Sequence, residues 1–394
     1  MTTPLMPGAT IGVIGGGQLG RMLALEARRM GYRICVLDPD PQCPAGQVAD
    51  DQVVAAYADL EAARDLARRT DVVTCEFENV DAAAVAAAES LRPVYPGSRV
   101  LRIAQHRVRE KETLARMGFP VPAFHPVQTP ADLQTGLRRL GLSAVLKTAT
   151  GGYDGKGQVL IRTAADAHRA YEALSPESEM LILEQYVQFS KELSVVCARD
   201  VFGSIACYPA VENIHRNGIL DVTIAPARVS GEVATAARKL VSAIMEQLDV
   251  VGVLAVELFL TGDGRLLVNE VAPRPHNSGH YTLDACVTSQ FEQLLRAVCH
   301  LPLGAPELFT PAVMVNLLGD VWEQTGGRPD FALALAEAGV KLHLYGKAVA
   351  HPGRKMGHLC AVAPTVEVAL ERALSARNRI MEDRSRSCLQ HHRS

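Results

Sequence analysis

The stretch from Val253 to Thr282, VLAVELFLTGDGRLLVNEVAPRPHNSGHYT, constrains this chain more than any other. Val253–Leu260 and Arg265–Val271 are β-rich runs separated by Thr261-Gly262-Asp263-Gly264, the composition of a hairpin turn. Each arm carries one carboxylate, Glu257 or Glu270, among residues otherwise suited to burial. A loop with an even number of residues pairs odd-numbered positions on one arm with even-numbered positions on the other. Glu257 and Glu270 then share a face, as direct or diagonal neighbours. Two carboxylates that close repel each other unless a cation or a proton lies between them. Directly afterwards, the run from Ala272 to His280 is dense in anion-binding and hydrogen-bonding groups. Carboxylates for Mg²⁺ followed by a basic, polar loop suggest a metal–nucleotide site beside an anionic substrate. The plain alternative is two solvated glutamates at strand ends and a surface loop.

A chain of 394 residues is long for one core, so two or three domains are expected. With 48% hydrophobic and 21% charged residues it reads as globular and soluble. A net charge of −3 argues for neither a nucleic-acid nor a membrane partner, while local basic groups suit a small phosphate ester. The nine cysteines are scattered without a CxxC pair, which predicts reduced thiols in a cytoplasmic protein. No signal peptide or membrane-spanning run is read.

From the N-terminus, Thr10–Ile14 reads as a strand, Gly15-Gly-Gly-Gln-Leu-Gly20 opens a helix over Arg21–Met30, and a second strand, Arg33–Leu37, ends at Asp38. The glycine spacing has the form of a dinucleotide fingerprint. Physically it offers a tight turn and a helix N-terminus that any anion could use. Further βα units follow at Leu60–Arg69, Val72–Cys75 and Ala82–Leu91. They put Glu76 and Glu78 just past a strand's C-terminal end, one expected to face a cleft and the other solvent. Ala104–Met117 reads as one charged helix, ended by Gly118-Phe-Pro-Val-Pro122 near a domain boundary.

Lys147 lies on a strand over Ala144–Thr148, and a loop with four glycines in seven residues, 151–157, leads into the strand Gln158–Ile161. With Lys156 inside it, this loop suits folding over a polyphosphate, although it is not a P-loop and a simple hairpin turn is the plain alternative. Met180–Val187 reads as a strand edge that could offer main-chain groups to an adenine ring. Glu192, on the strand Glu192–Cys197, reads as an exposed edge residue or a ribose-hydroxyl acceptor, and His215 as a surface or core histidine. Helices are predicted over Ala234–Leu248, from Thr282 to about His300, and from Val366 to about Met381.

With these pieces in order the chain resembles the ATP-grasp superfamily, and within it the N5-carboxyaminoimidazole ribonucleotide synthetases of purine biosynthesis. The resemblance runs from Thr10 to Arg372 on GGGQLGRM (15–22), EFENV (76–80), GGYDGKGQ (151–158), EQYV (184–187), NEVAPRPHNSGHYT (269–282) and PGRKMGH (352–358). It implies an α/β fold, α+β overall: an open parallel N-terminal domain over residues 1–110, an ATP-grasp region over 111–300 with a lid at about 118–188, and a small β-rich C-terminal domain over 301–380. Residues 381–394 are expected to be a disordered tail.

The reaction implied is ATP, bicarbonate and 5-aminoimidazole ribonucleotide giving ADP, phosphate and N5-carboxyaminoimidazole ribonucleotide through carboxyphosphate. Mg²⁺, with Mn²⁺ as an alternative, is the expected metal, on Glu257 and Glu270. By the same resemblance Arg107, Lys147, Gly152, Tyr153, Asp154, Gly155, Lys156, Gly157, Gln158, Glu184, Gln185, Tyr186, Val187, Glu192, His215, Asn269 and Glu270 hold ATP. Arg274, Lys147, His276 and Asn277 are the expected catalytic residues. Gln18, Leu19, Glu76, Tyr153, Asp154, Arg274, Ser278, Lys347 and Arg354 are expected to bind the ribonucleotide, Lys347 and Arg354 at its phosphate. A homodimer and a hand-off of product to a mutase are expected as well. Many ATP-grasp enzymes carry Asn two positions after the second metal glutamate, where this chain has Ala272, so metal coordination is expected to lean on water or Asn269. Rival readings are a sibling ligase such as formate-dependent glycinamide ribonucleotide transformylase, a nicotinamide oxidoreductase built on Gly15–Gly20, and a catalytically silent nucleotide-binding scaffold.

Overall fold

A computed structural model of the chain describes residues 3–152 and 155–382. Tyr153, Asp154 and the tail beyond 382 lie outside the described residues. The N-terminal region is a five-stranded parallel sheet of β1 (Thr10–Ile14), β2 (Arg33–Asp38), β3 (Asp51–Val54), β4 (Val72–Cys75) and β5 (Val94–Tyr95), in the order β3-β2-β1-β4-β5. The strands β1, β2 and β4 are nearly continuous apolar runs because helices cover both faces. The helix after the glycine turn spans Gln18–Arg29, three residues earlier than the apolar pattern alone predicts.

A second sheet carries β6 (Phe124–Val127), β7 (Ala144–Thr148), β8 (Gln158–Ile161) and β9 (Leu181–Gln185) in the order β6-β9-β7-β8, antiparallel throughout. Strand β9 therefore lies inside the sheet, not at its edge as the sequence reading had it. Its backbone is taken up by β6 and β7, and the chain leaves the sheet only past Gln185.

The third sheet has nine strands: β10 (Phe189–Arg199), β11 (Ile205–Cys207), β12 (Val211–Arg216), β13 (Ile219–Ala225), β14 (Gly252–Thr261), β15 (Leu266–Ala272), β16 (Ala312–Leu318), β17 (Val340–Leu344) and β18 (Lys355–Val362). The order β15-β14-β10-β12-β13-β16-β18-β17 shows that the C-terminal strands prolong the sheet that carries the hairpin, through the β13–β16 pair. Helix Gly231–Gln247 packs Ala237, Val241 and Ile244 against Leu254, Val256 and Leu258, so the even-numbered face of β14 is core. Its odd-numbered face buries Val253 and Ala255 in a second core and turns Glu257 and Phe259 to a cleft.

Three further expectations change. The charged helix read over Ala104–Met117 is two, Ser98–Ala104 and Arg107–Arg116, broken at Gln105-His106. Tertiary bonds win there over helical propensity: the Gln105 amide donates to the carbonyls of Glu78 and Val80, and Arg107 N–H donates to Ala149 O. The helix read from Thr282 to His300 is likewise split into Thr282–Ala285 and Gln290–Val298, because Cys286 bridges to Leu308 and Ser289 caps a new start. Finally, Cys197 and Cys207, directly opposed on β10 and β11, are joined as a disulfide, so reduced thiols do not hold for that pair. Among the described residues no helix is long and apolar enough to cross a membrane.

Candidate active site

The hairpin forms one wall of a cleft of about 890 Å³ that is lined from the second and third sheets and from the glycine turn and the loop after β4 of the N-terminal region. Its turn sets Leu260 opposite Leu266 and Leu258 opposite Val268, even against even, so loop parity alone does not bring the two glutamates together. Asn269 is an extra residue, and beyond this bulge Glu257 directly opposes Glu270. The sequence held a sign of it: Asn269 and Glu270 are two consecutive polar residues between buried Val268 and Val271, a break in the two-residue period.

The donor set fits a hard divalent cation. Mg²⁺ is held by one or two carboxylates plus phosphate oxygens, and here two carboxylates stand beside the buried Asn269 Oδ1, which has no hydrogen-bond partner. No group of three or more His, Cys, Asp or Glu among the described residues is arranged to hold a metal by itself, so the remaining ligands would come from nucleotide and water. Burial and then the charge of Glu270 push Glu257 up to about 7. Burial also acts on Glu270, but Arg107, 3.0 Å away, outweighs it and keeps that carboxyl ionised.

Cations surround this pair. Arg107 bridges Glu270 and the carbonyl of Gly152 at the start of the glycine loop. Lys147 is buried and pairs with Glu184 at 2.7 Å, where Lys111 and Lys147 hold the carboxyl low against burial. Glu192 and His215 meet at 2.6 Å. Burial lowers the imidazole, but that hydrogen bond and the nearby carboxylates raise it above its ordinary value. Gly152, Gly155, Gln158, Gln185, Tyr186 and Val187 also line the cleft. A side chain at Gly155 would meet the backbone of Gly218 at 2.8 Å, so only glycine lets the loop come this close to the β12–β13 turn. Gly157 is set apart, its carbonyl accepting from Thr148 N–H at 2.8 Å.

Past β15, Arg274 forks onto both carboxylate oxygens of Glu78. Both EFENV glutamates thus find partners inside the protein, where the sequence reading sent one to solvent. Burial, then the Arg274 charge, lowers His276 to about 3, so its ring is neutral; Nε2 lies 3.4 Å from Glu257. Both amide atoms of Asn277 are buried without partners beside it in the cleft wall. Ser278 does not face the cleft. It is fully buried, and its hydroxyl links Ser194 to His276 Nδ1 at 2.7 and 2.8 Å, so it orients the ring from behind the cleft wall.

At the glycine turn the chain fills its own anion site. The Glu76 carboxylate accepts from Gly17 N–H at 2.5 Å and Gly20 N–H at 2.6 Å, and Asp38 accepts from Gly16 N–H at 2.7 Å. With the N–H groups of Gly16, Gly17 and Gly20 taken by the protein's own carboxylates, the turn is ill suited to a dinucleotide phosphate, which argues against the nicotinamide reading. Glu76, Gln18 and Leu19 still border the cleft.

A second cavity of about 340 Å³ is lined by Gln18, Lys156, Lys347, Arg354 and Lys355. Gln18 and Lys355 border both cavities. Lys355 was not singled out from sequence, although it stands inside PGRKMGH. The stacked pair Phe189 and Phe259, 4.9 Å between centroids on adjacent strands, was missed too, since strand aromatics are ordinarily core.

A four-stranded antiparallel sheet and a carboxylate-bearing hairpin facing one cleft define an ATP-grasp enzyme. Residues 112–291 match the ATP-grasp domain, 8–105 the ribonucleotide synthetase preATP-grasp domain, and 312–372 the phosphoribosylaminoimidazole carboxylase C-terminal domain. The chain is 49% identical to N5-carboxyaminoimidazole ribonucleotide synthase of Bacillus subtilis over 90% of its own length and 92% of the relative's. With the Brucella melitensis synthase it shares 44% over 92% and 98%. The ADP complex of an N5-carboxyaminoimidazole ribonucleotide synthetase superposes with a TM-score of 0.91 at 47% identity, covering 95% of this chain and 98% of that one. An Aspergillus clavatus synthase bound to ADP and 5-aminoimidazole ribonucleotide superposes at 0.88 and 34%, covering 95% and 99%. The chain belongs to the N5-carboxyaminoimidazole ribonucleotide synthase family.

Proposed function

We propose that this enzyme uses ATP to carboxylate the exocyclic amine of 5-aminoimidazole ribonucleotide, giving N5-carboxyaminoimidazole ribonucleotide, with bicarbonate as carbon source and carboxyphosphate as intermediate. The observation that carries the reading is the continuity of the site. The opposed Glu257 and Glu270, the cations Arg107 and Lys147, and the Arg274–Asn277 loop share one cleft, and Gln18 and Lys355 join it to a cavity lined by Lys347 and Arg354.

Such a reaction needs little acid–base machinery and much charge control. ATP lies between the lid and the large sheet, its phosphates beside Lys147 and Arg107 and its ribose near Glu192. When bound at Glu257 and Glu270, Mg²⁺ neutralises phosphate oxygens. Arg274 exchanges Glu78 for the carboxyphosphate, and neutral His276 with the unpartnered Asn277 amide supplies hydrogen bonds to the carboxyl group and the attacking amine. Lys347 and Arg354 grip the ribonucleotide phosphate. Closure of the glycine loop excludes water from the acyl phosphate. The protein acts as a homodimer in the cytoplasm and releases its product to a mutase.

ADP release with Mg²⁺-ATP and bicarbonate, with and without 5-aminoimidazole ribonucleotide, tests this. Strong stimulation by the ribonucleotide is expected. ATP binding without stimulation would keep the fold and send the search to another acceptor amine.

A further inference from the structure

Helix Arg107–Arg116 presents three charged side chains to β15 from one turn, at relative positions i, i+3 and i+4. Arg107 pairs with Glu270 at 3.0 Å. Glu110 accepts the backbone N–H of Val271 at 2.9 Å. Lys111 donates to the carbonyl of Val268 at 3.0 Å and to that of Asn269. Four consecutive residues, 268–271, are therefore gripped at the bulge and on both sides of it. Glu110 and Lys111 are only 2% and 1% exposed; Glu110 borders the back of the cleft and Lys111 does not line it.

A bulge leaves backbone groups out of the ladder, and buried groups without partners cost free energy. Here those groups are met by two side chains that are themselves expensive to bury: burial raises Glu110 and lowers Lys111 from their ordinary values. An apolar pair would fill the same space without that cost but could not bond the bulge. The bulge matters because of the face it selects. Were the Leu258–Val268 register to run on unbroken, Glu270 would oppose Val256, on the core side of the sheet.

We propose that Glu110 and Lys111 are positioning residues that clamp the Asn269 bulge and so keep Asn269 and Glu270 on the cleft face, opposite Glu257, in the geometry that takes a divalent cation. This rests on the metal reading given under Proposed function.

Mn²⁺ titration by electron paramagnetic resonance, on the full chain with a non-hydrolysable ATP analogue, separates the possibilities. Binding of the analogue without metal is measured beside it. Lys111→Met is expected to weaken Mn²⁺ binding by about tenfold or more, as loss of outer-shell support typically does, and, because Lys111 also lies 3.8 Å from Glu184, to weaken metal-free analogue binding by a clearly smaller factor. Glu110→Gln, which keeps the volume and weakens one charge-assisted bond, is expected to weaken Mn²⁺ binding about threefold. It carries the test by itself if Lys111→Met does not fold. Unchanged Mn²⁺ affinity in the variants that fold overturns the proposal. So does an equal loss of metal-free analogue binding, which would make these residues part of the nucleotide pocket. Glu257→Gln is the comparator: if it abolishes Mn²⁺ binding and the clamp variants do not weaken it, the clamp alone fails. If Glu257→Gln binds Mn²⁺ normally, the metal reading fails and the clamp with it.

Discussion

Two turns in this molecule advertise an anion or metal site, and they end differently. At Gly15–Gly20 the N–H groups of Gly16, Gly17 and Gly20 are taken from within, by Asp38 and Glu76. At Val253–Ala272 the hairpin sets Glu257 and Glu270 side by side and leaves Asn269 Oδ1 without a partner. A motif shows which groups are present; the site is where those groups remain unsatisfied. The first turn has become scaffold at the edge of the cleft, and the second has kept its charge for a ligand.

The sharpest way to break this contrast is Glu257→Gln. The change is isosteric and relieves repulsion with Glu270, so the fold should persist with an unchanged or slightly raised Tm, while ATP cleavage falls by about 10²–10³-fold or more. Calorimetry beside ADP release checks it, and a parallel loss of stability and activity would return Glu257 to a structural role.

Acidity should act on the same carboxyl. Glu257 is raised from an ordinary 4.5 to about 7, so the folded protein holds that proton more tightly than the unfolded chain does. Metal-free protein therefore gains stability from this group as pH falls from about 7 towards 4.5. A cation must displace the proton, so Mn²⁺ affinity should fall by roughly tenfold per pH unit below about pH 7. Titrations at several pH values read the slope, and a flat profile would mean that the proton sits elsewhere.

The smallest expected effect lies at the glycine turn. Glu76→Gln leaves one buried N–H facing an amide NH₂ where a carboxylate oxygen stood. The expected cost is about 2 kcal/mol, a fall in Tm of roughly 5 °C, with ADP release changed far less. A normal Tm combined with loss of ribonucleotide stimulation would move Glu76 from scaffold to substrate contact.

Much of this was legible in the chain. Three of the five parallel strands of the N-terminal sheet, β1, β2 and β4, announce themselves as short apolar runs, and the hairpin arms and the motif order point to the ATP-grasp fold. Glu257 and Glu270 stood out because a carboxylate in an otherwise buried strand demands a reason. That Ser278 turns away from the cleft was not legible, because a hydroxyl in a polar loop carries no signal of the direction it faces. The long helix at Ala104–Met117 was misjudged because its break comes from bonds to Glu78, Val80 and Ala149, each far along the chain.

The sequence by itself determined the local elements and the kinds of chemistry, because hydrophobic period, turn residues and charge type act over a few positions. Only the tertiary structure decided which groups stay open. Whether Glu76 meets Gly17, whether Arg274 finds Glu78, and whether Lys111 reaches the carbonyls at Asn269 depend on contacts between residues 59, 196 and 158 positions apart. Local pattern carries no information about such distances; packing of the three sheets around one cleft sets them.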